Sequence, residues 1–335
     1  VDRDRPDVPG TPDPAPASPW AMIPPAAGAA VMATGIVSIG LHLLGQNVLS
    51  AVFLVLASAL WGLLAVVFCA RLFGDRGRWE READTPAALT AVAATCVLGT
   101  RYALAGSLGF AEVLLGIAVV VWPVLFVAVV RHWRPKMPGA VFITCVATQA
   151  LAVLGATLSA SAHVAWLGYA AVGFFWFGLV VYAAAFVRFD LRQVLTGAGD
   201  HWVAGGALAI SALAAARLVL ADRAGDLWNN QDTEVLRFMA GLLLALDLGW
   251  YAVLCVAEVV RPRPHYDVRR WSTVFPMGMT AVATLMVATA VETQWLETPG
   301  RVLVWVAVAV WLVTATGAAL SLSASFSSLR STERR

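Results

Sequence analysis

Charge is what this chain has least of. Asp, Glu, Lys and Arg together make up 13% of its 335 residues, against 60% hydrophobic residues. A soluble domain needs a far more polar surface than that, so the composition points to a polytopic membrane bundle with little mass outside the bilayer. Lysine occurs once, at Lys136, in a gap between apolar segments. That excludes a retinal Schiff base within a span, and no GxxxxGK[ST] loop exists through which the chain could use ATP. No TVGYG filter is present, so a potassium-type pore is excluded. The four cysteines, Cys69, Cys96, Cys145 and Cys255, have no CxxC spacing and read as small buried hydrophobes. Among the five histidines, His42 and His163 fall toward one face and His132, His201 and His265 toward the other. None has metal-ligand spacing with another, so no metal site is expected. There is no HExxH motif and no nucleophile–base pair, and nothing calls for a cofactor. The chain reads as a non-enzyme.

What is present is a run of ten apolar segments, near 22–44, 50–72, 86–108, 110–131, 138–160, 163–187, 202–221, 235–260, 271–291 and 300–324. Each approaches the roughly 20 residues that a bilayer core of about 30 Å requires. Basic residues crowd into every second gap: Arg71, Arg76, Arg78 and Arg81; Arg131, Arg134 and Lys136; Arg188 and Arg192; Arg261, Arg263, Arg269 and Arg270. Arg3 and Arg5 precede the first span, and Arg330, Arg334 and Arg335 follow the last. Such an excess marks cytoplasmic loops, which puts both termini inside and demands an even number of spans. The net charge of +2 therefore reflects topology and gives no argument for nucleic-acid binding.

Three regions are expected. Residues 1–19, rich in Pro and Asp and without an apolar stretch, read as a disordered cytoplasmic tail and not as a signal peptide. Residues 20–325 form the ten-helix transmembrane domain, and 326–335 a cytoplasmic C-terminal tail. Abundant Ala, Val and Arg with a single Lys suggest a GC-rich bacterial genome, hence a bacterial inner membrane.

Very short gaps pair successive spans as hairpins, and the two members differ in chemistry. Odd spans carry hydroxyls and small residues at helical spacing: Thr34, Gly35 and Ser38 on the first, Thr144 and Thr148 on the fifth, Ser211 on the seventh, Thr280 and Thr284 on the ninth. Even spans two, four and six are almost wholly Val, Leu, Phe, Trp and Ala. Residues at i and i+4 share a helix face, and polar faces in membranes turn toward protein or water. The odd spans are thus expected to form an inner ring whose hydroxyls line a pathway; the alternative is that they only permit close packing. Pro24, Pro25, Pro86 and Pro138 lie where helix entry is tolerated. Pro276, several residues into its span, is expected to kink or break the helix.

Three charges fall at bilayer depth, where each costs roughly 2.5–3.5 kcal/mol on insertion scales. Arg101 and Arg217 lie in the outer thirds of odd spans and could attract anions to a vestibule; for Arg217 the alternative is snorkelling to headgroups. Asp247, near the middle of the eighth span, could carry a proton or serve a structural pairing.

The stretch Met32-Ala33-Thr34-Gly35-Ile36-Val37-Ser38-Ile39, followed by Leu43-Leu44-Gly45, and the later Trp271-Ser272-Thr273-Val274-Phe275-Pro276-Met277-Gly278-Met279 resemble the tellurite-resistance/dicarboxylate transporter family over about residues 20–325. That family includes malate permeases and plant slow anion channels. The resemblance implies an all-α fold of five helical hairpins in quasi-fivefold arrangement, a homotrimer, and a pathway obstructed by a phenylalanine on the ninth span, which corresponds to Phe275 beside Pro276. The expected function is a permease for small organic anions, favouring C4-dicarboxylates such as malate. The alternatives are a passive channel for chloride or nitrate, a tellurite-resistance exporter and, least favoured, a membrane-embedded enzyme.

Overall fold

In hydrocarbon a helix satisfies its own backbone polar groups, so each apolar segment has one economical conformation. The computed structural model describes residues 27–263 and 266–332. The tail expected over residues 1–19, Arg3, Arg5, Pro24, Pro25, His265, Arg334 and Arg335 lie outside the described residues.

Twelve helices are described: α1 (Gly28–Leu43), α2 (Asn47–Gly74), α3 (Arg76–Ala83), α4 (Thr90–Leu104), α5 (Leu108–Arg131), α6 (Ile143–Ala162), α7 (Ala165–Arg188), α8 (Gln193–Thr196), α9 (Val203–Gly225), α10 (Asn230–Val260), α11 (Trp271–Ala290) and α12 (Glu297–Thr332). Among the described residues nine helices are long and apolar enough to cross a membrane, and α1 is a shorter apolar helix of 16 residues. No strand occurs among them; one isolated bridge joins Met137 and Phe189. The short helices α3 and α8 have no counterpart in the hydropathy pattern, because each lies in a polar connection. The last helix continues through residues 326–332.

Burial alternates along the chain. In the segments containing α4, α6, α9 and α11, between 72% and 100% of the most apolar stretch is buried; in α2, α5, α7, α10 and α12 the share is 17–28%. Helix α1 is buried along nearly its whole length. The buried helices pack in sequence, α1 on α4, α4 on α6, α6 on α9 and α9 on α11, and α11 returns to α1. They close a ring. Each exposed helix packs on the inner helix before it and on the next inner helix: α2 on α1 and α4, α5 on α4 and α6, α7 on α6 and α9, α10 on α9 and α11, and α12 on α11 and α1.

Small side chains make the ring possible. A Cβ on Gly35 of α1 would lie 2.8 Å from Val97 of α4, and one on Gly206 of α9 would lie 2.9 Å from the Pro276 ring of α11. Close backbone approach of this kind replaces the hydrophobic driving force that is missing between helices in lipid. Four of the five inner helices, α4, α6, α9 and α11, are entered through a short 3-10 turn. Pro86 opens the first of these turns and Pro138 precedes the second. Helix α11 runs on through Pro276 without the expected break. The proline is its sixth residue, so its missing N–H removes only one hydrogen bond near the helix start.

At the opposite end each inner helix turns into its outer partner within a few residues. Every one of these five turns contains one residue with positive φ: Gly45, Gly106, His163, Asp226 and Glu292. The left-handed conformation costs a non-glycine residue roughly 1–2 kcal/mol. Around Gly106, φ +83°, there is open space for a side chain, so Gly106→Ala should lower stability by about 1 kcal/mol through backbone strain alone. Gly109→Ala, at the second residue of α5 and also in open space, should not. Thermal unfolding of both variants in detergent checks this; equal shifts would refute it.

Candidate functional site

Among the ring's polar groups, Arg101 is the most elaborately held. It lies in the last turn of α4, where a cation offsets the negative end of the helix dipole, and it is 5% exposed. Its Nε donates to Ser38 Oγ at 3.2 Å and Ser50 Oγ at 3.1 Å, and its Nη2 donates to Ser50 Oγ at 2.9 Å. The two serines lock each other: Ser38 Oγ donates to the Ser50 carbonyl and Ser50 Oγ to the Ser38 carbonyl, each at 2.7 Å. With both hydroxyl protons committed to carbonyls, only lone pairs face the guanidinium. Nη1 is buried with no partner among the described residues.

Arg217 of α9 is 8% exposed, and its Nε likewise has no partner among the described residues. Both guanidinium groups lie within Coulombic reach of His42, in the last turn of α1. Three inner helices thus contribute basic side chains near one end of the ring. No described carboxylate lies within ion-pairing distance of either arginine. Two carboxylates at that end are otherwise engaged: Glu292 pairs with Arg223 at 2.7 Å, and Asp222 accepts from the backbone of Leu227 and Trp228 and from Thr233.

The hydroxyls on the inner helices turn mostly to their own backbones. Thr34 Oγ1 donates to the Ala30 carbonyl, Thr144 to Val141, Thr148 to Thr144, Ser211 to Ala207 and Thr284 to Thr280. Two of them also accept an indole N–H from an outer helix: Thr34 from Trp311 of α12 at 3.0 Å, and Thr148 from Trp122 of α5 at 3.1 Å. Thr95 of α4 repeats the arrangement with Trp61 of α2 at 2.9 Å. A hydroxyl whose proton is committed in this way presents only lone pairs, which repel an anion.

Asp247 of α10 is wholly buried, and neither carboxyl oxygen has a hydrogen-bond partner among the described residues. Its Oδ1 faces Gly205 of α9, where a Cβ would lie 3.6 Å away. The Thr280 hydroxyl of α11 lies beside it, close enough to interact but without a hydrogen bond of standard geometry. The titratable side chains of Tyr182 of α7 and Tyr251 of α10 lie within its electrostatic reach. Phe275 is 1% exposed and belongs to one apolar core with Met32, Val97, Leu151 and Leu213 from the other four inner helices. Pro276, next to it, packs on Gly206.

The structure therefore brings Arg101, Ser38, Arg217 and His42 toward one end, and Asp247 with Thr280 into a separate buried contact. Sequence reasoning missed Ser50, at the edge of the second span, and the indoles of Trp61, Trp122 and Trp311. Their signal is chemical: an indole N–H in hydrocarbon needs an acceptor, and on these otherwise apolar spans the available acceptors are hydroxyls of the neighbouring helices.

The model of a family described as voltage-dependent anion channel (SLAC1) matches residues 22–319. Two uncharacterized membrane proteins of Mycobacterium tuberculosis, from strains CDC 1551 / Oshkosh and ATCC 25618 / H37Rv, are each 29% identical over 126 residues, covering 34% of this chain and 59% of theirs. The chain thus spans about three fifths of the length of these curated relatives.

Ser50→Ala would leave Arg101 with one fewer acceptor and break the reciprocal serine lock. A loss of about 1–3 kcal/mol is expected, as for other buried groups left unsatisfied, read as a lower unfolding temperature in detergent. Unchanged stability would mean that the serine pair does not hold the arginine.

Proposed function

The chain belongs to the voltage-dependent anion channel family, and on that premise we propose that it is a membrane permease for small organic anions, favouring C4-dicarboxylates such as malate. The observation that carries this reading is Arg101: a buried guanidinium on a cushion of serine lone pairs, with one nitrogen unbonded and no described carboxylate paired to it. A charge at bilayer depth without an internal counter-ion suits a site whose anion arrives from outside. Arg217 and His42 extend the basic character of the same end.

In this reading ten spans form five hairpins in quasi-fivefold arrangement around a central pathway, as the closed packing of α1, α4, α6, α9 and α11 supports. Phe275 obstructs the pathway, and the tight seat of Pro276 on Gly206 fixes the backbone that carries it. The basic loops put both termini in the cytoplasm of a bacterial cell, with the protein in the inner membrane as a homotrimer. Because most ring hydroxyls have committed their protons, the arginines rather than the threonines supply the attraction.

A dianion feels about 4.6 kcal/mol per 100 mV, twice the single-charge value, so with a negative interior its uncoupled flow runs outward. Uptake needs a proton or an exchanged anion. Asp247, buried without a cation partner among the described residues, is the group that could carry the proton, with Thr280 positioned to receive its hydrogen bond. A second reading, a passive channel for chloride or nitrate, is favoured by the family's description and by the single unbonded Nη1 edge of Arg101, which fits a small anion as well as a carboxylate.

Current across bilayers containing the purified protein, with malate and then chloride, discriminates these readings. Malate-carried current that rises in Phe275→Ala is the expected result; chloride carrying most of the current would establish the second reading. Arg101→Ala should reduce flux at limiting substrate, and unchanged flux in a folded variant would remove its role. Under a pH gradient Asp247→Asn should abolish the pH dependence of isotope uptake, and retained coupling would leave Asp247 structural.

A further inference from the structure

Away from the ring axis, a cavity of about 410 Å³ opens beneath α2, α3 and α5. Its size falls within the roughly 300–1,000 Å³ of small-molecule sites. Its walls are almost entirely apolar, with Leu64 and Phe68 on α2, Ile117 on α5 and Ala91 on α4. The floor belongs to the inner ring, since Gly28 and Val31 of α1 and Thr90 of α4 also line it. Ala88 and Ala91, two of the half-buried residues of the α4 segment, line the cavity, and that segment is 72% buried, the lowest among the long inner spans, compared with 83–100% for the others.

The shape of the cavity identifies what would fill it. Along α2 its lining runs from Trp61 to Arg71, ten residues or about 15 Å of helix. That is half of the roughly 30 Å hydrocarbon core, the depth of one leaflet. The end around Trp61 holds no charged residue, and the end with basic loops carries the Arg71–Glu82 pair at 2.7 Å. Beside that pair is Trp79, whose indole N–H is buried with no partner among the described residues. The charged residues of the lining are Arg71 and Glu82, one of each sign. A rim of balanced charge does not select an anionic head; it complements a zwitterionic one.

We propose that this cavity is a lateral lipid site that takes one acyl chain of phosphatidylethanolamine from the leaflet at the basic end, with phosphate toward Arg71 and ammonium toward Glu82. The Trp79 N–H is placed to donate to an ester or phosphate oxygen. An acyl chain bound there would touch Ala91 of α4 directly, so the lipid would contact the inner ring without entering its axis. The site does not depend on which anion is transported, and its test reads binding alone.

The experiment uses the full chain in nanodiscs of phosphatidylethanolamine and phosphatidylglycerol, doped in turn with each lipid bearing a photoactivatable diazirine in its acyl chain. Adducts are mapped by peptide mass spectrometry. The ethanolamine lipid should label lining residues of α2, α4 and α5 several-fold above the other lipid-facing helices. Labelling should fall to that background in Ala65→Phe, which fills the cavity, and in Ile117→Trp at its mouth. It should persist in Val66→Phe, on the neighbouring surface of α2, where Val66 is 65% exposed. Three outcomes would overturn the proposal: uniform labelling of all outer helices in the unmodified protein, labelling of the cavity by the glycerol lipid alone, or Cys69-to-Cys69 crosslinks showing a second copy of the chain over the mouth. If one filling variant fails to fold, the other carries the same comparison.

Discussion

Closure of the inner ring is the constraint on which the rest of this architecture depends. Lipid offers apolar helices no hydrophobic reason to associate, so cohesion must come from close contact and from polar groups that have no better partner. The inner helices meet the first requirement with small residues at their seams, as where Gly35 meets Val97 and Gly206 meets Pro276. They meet the second through their hydroxyls. Thr34, Thr95 and Thr148 each return a proton to their own helix and accept an indole N–H from the outer layer. One atom thereby serves both layers. The outer helices can remain lipid-facing over most of their surface because a single tryptophan, at similar depth in α2, α5 and α12, anchors each of these three to the ring.

Against that economy the buried charges stand out. Several ionic groups of the described structure sit near helix ends with opposite charges beside them: Arg223 with Glu292, Arg270 with Glu258, Arg269 with Asp267. Arg101, Arg217 and Asp247 do not. Burying a charge without a partner costs several kcal/mol even after relaxation, and the packing of Arg101 offsets only part of this by turning serine lone pairs toward it. Other buried polar atoms, such as the indole nitrogens of Trp202 and Trp250, also lack a partner among the described residues, but Arg101, Arg217 and Asp247 carry charge without an ion-pair partner there, and exceptions of this kind concentrate at functional sites.

Much of this was legible in the sequence, and the boundary is physical. Hydropathy locates the helices because bilayer thickness imposes their length. The alternation of hydroxyl-bearing and purely apolar segments anticipates which helices are buried, since polar faces avoid lipid. Arg101, Arg217 and Asp247 could be singled out because charge at depth is rare. Direction, however, is not encoded in spacing. That Thr34 faces Trp311, 277 positions away, follows from α12 packing back on α1, a contact that no local pattern specifies. Ser50 escaped notice because it lies at the edge of a span, where a serine is unremarkable until an arginine on another hairpin is known to reach it. Pro276 suggested a break, yet it is the sixth residue of α11, where its missing N–H removes only one hydrogen bond; the seat on Gly206 was not visible in the sequence.

The five turns with positive φ bear on how such a chain reaches its native state. Each joins an inner helix to its outer partner through a connection of a few residues, so every hairpin is a local structure whose contacts close quickly. The ring is different. Its first four seams form between neighbours as synthesis proceeds, but the fifth requires α11 to meet α1 across most of the chain length. Until then α1 and α11 each keep one small-residue flank uncovered in the membrane. The assembling protein is therefore an open arc with two complementary edges, and its characteristic error is for the edge of one chain to close on that of another. Such an exchange would yield an intertwined oligomer built from the same seams as the native ring, the membrane counterpart of domain swapping.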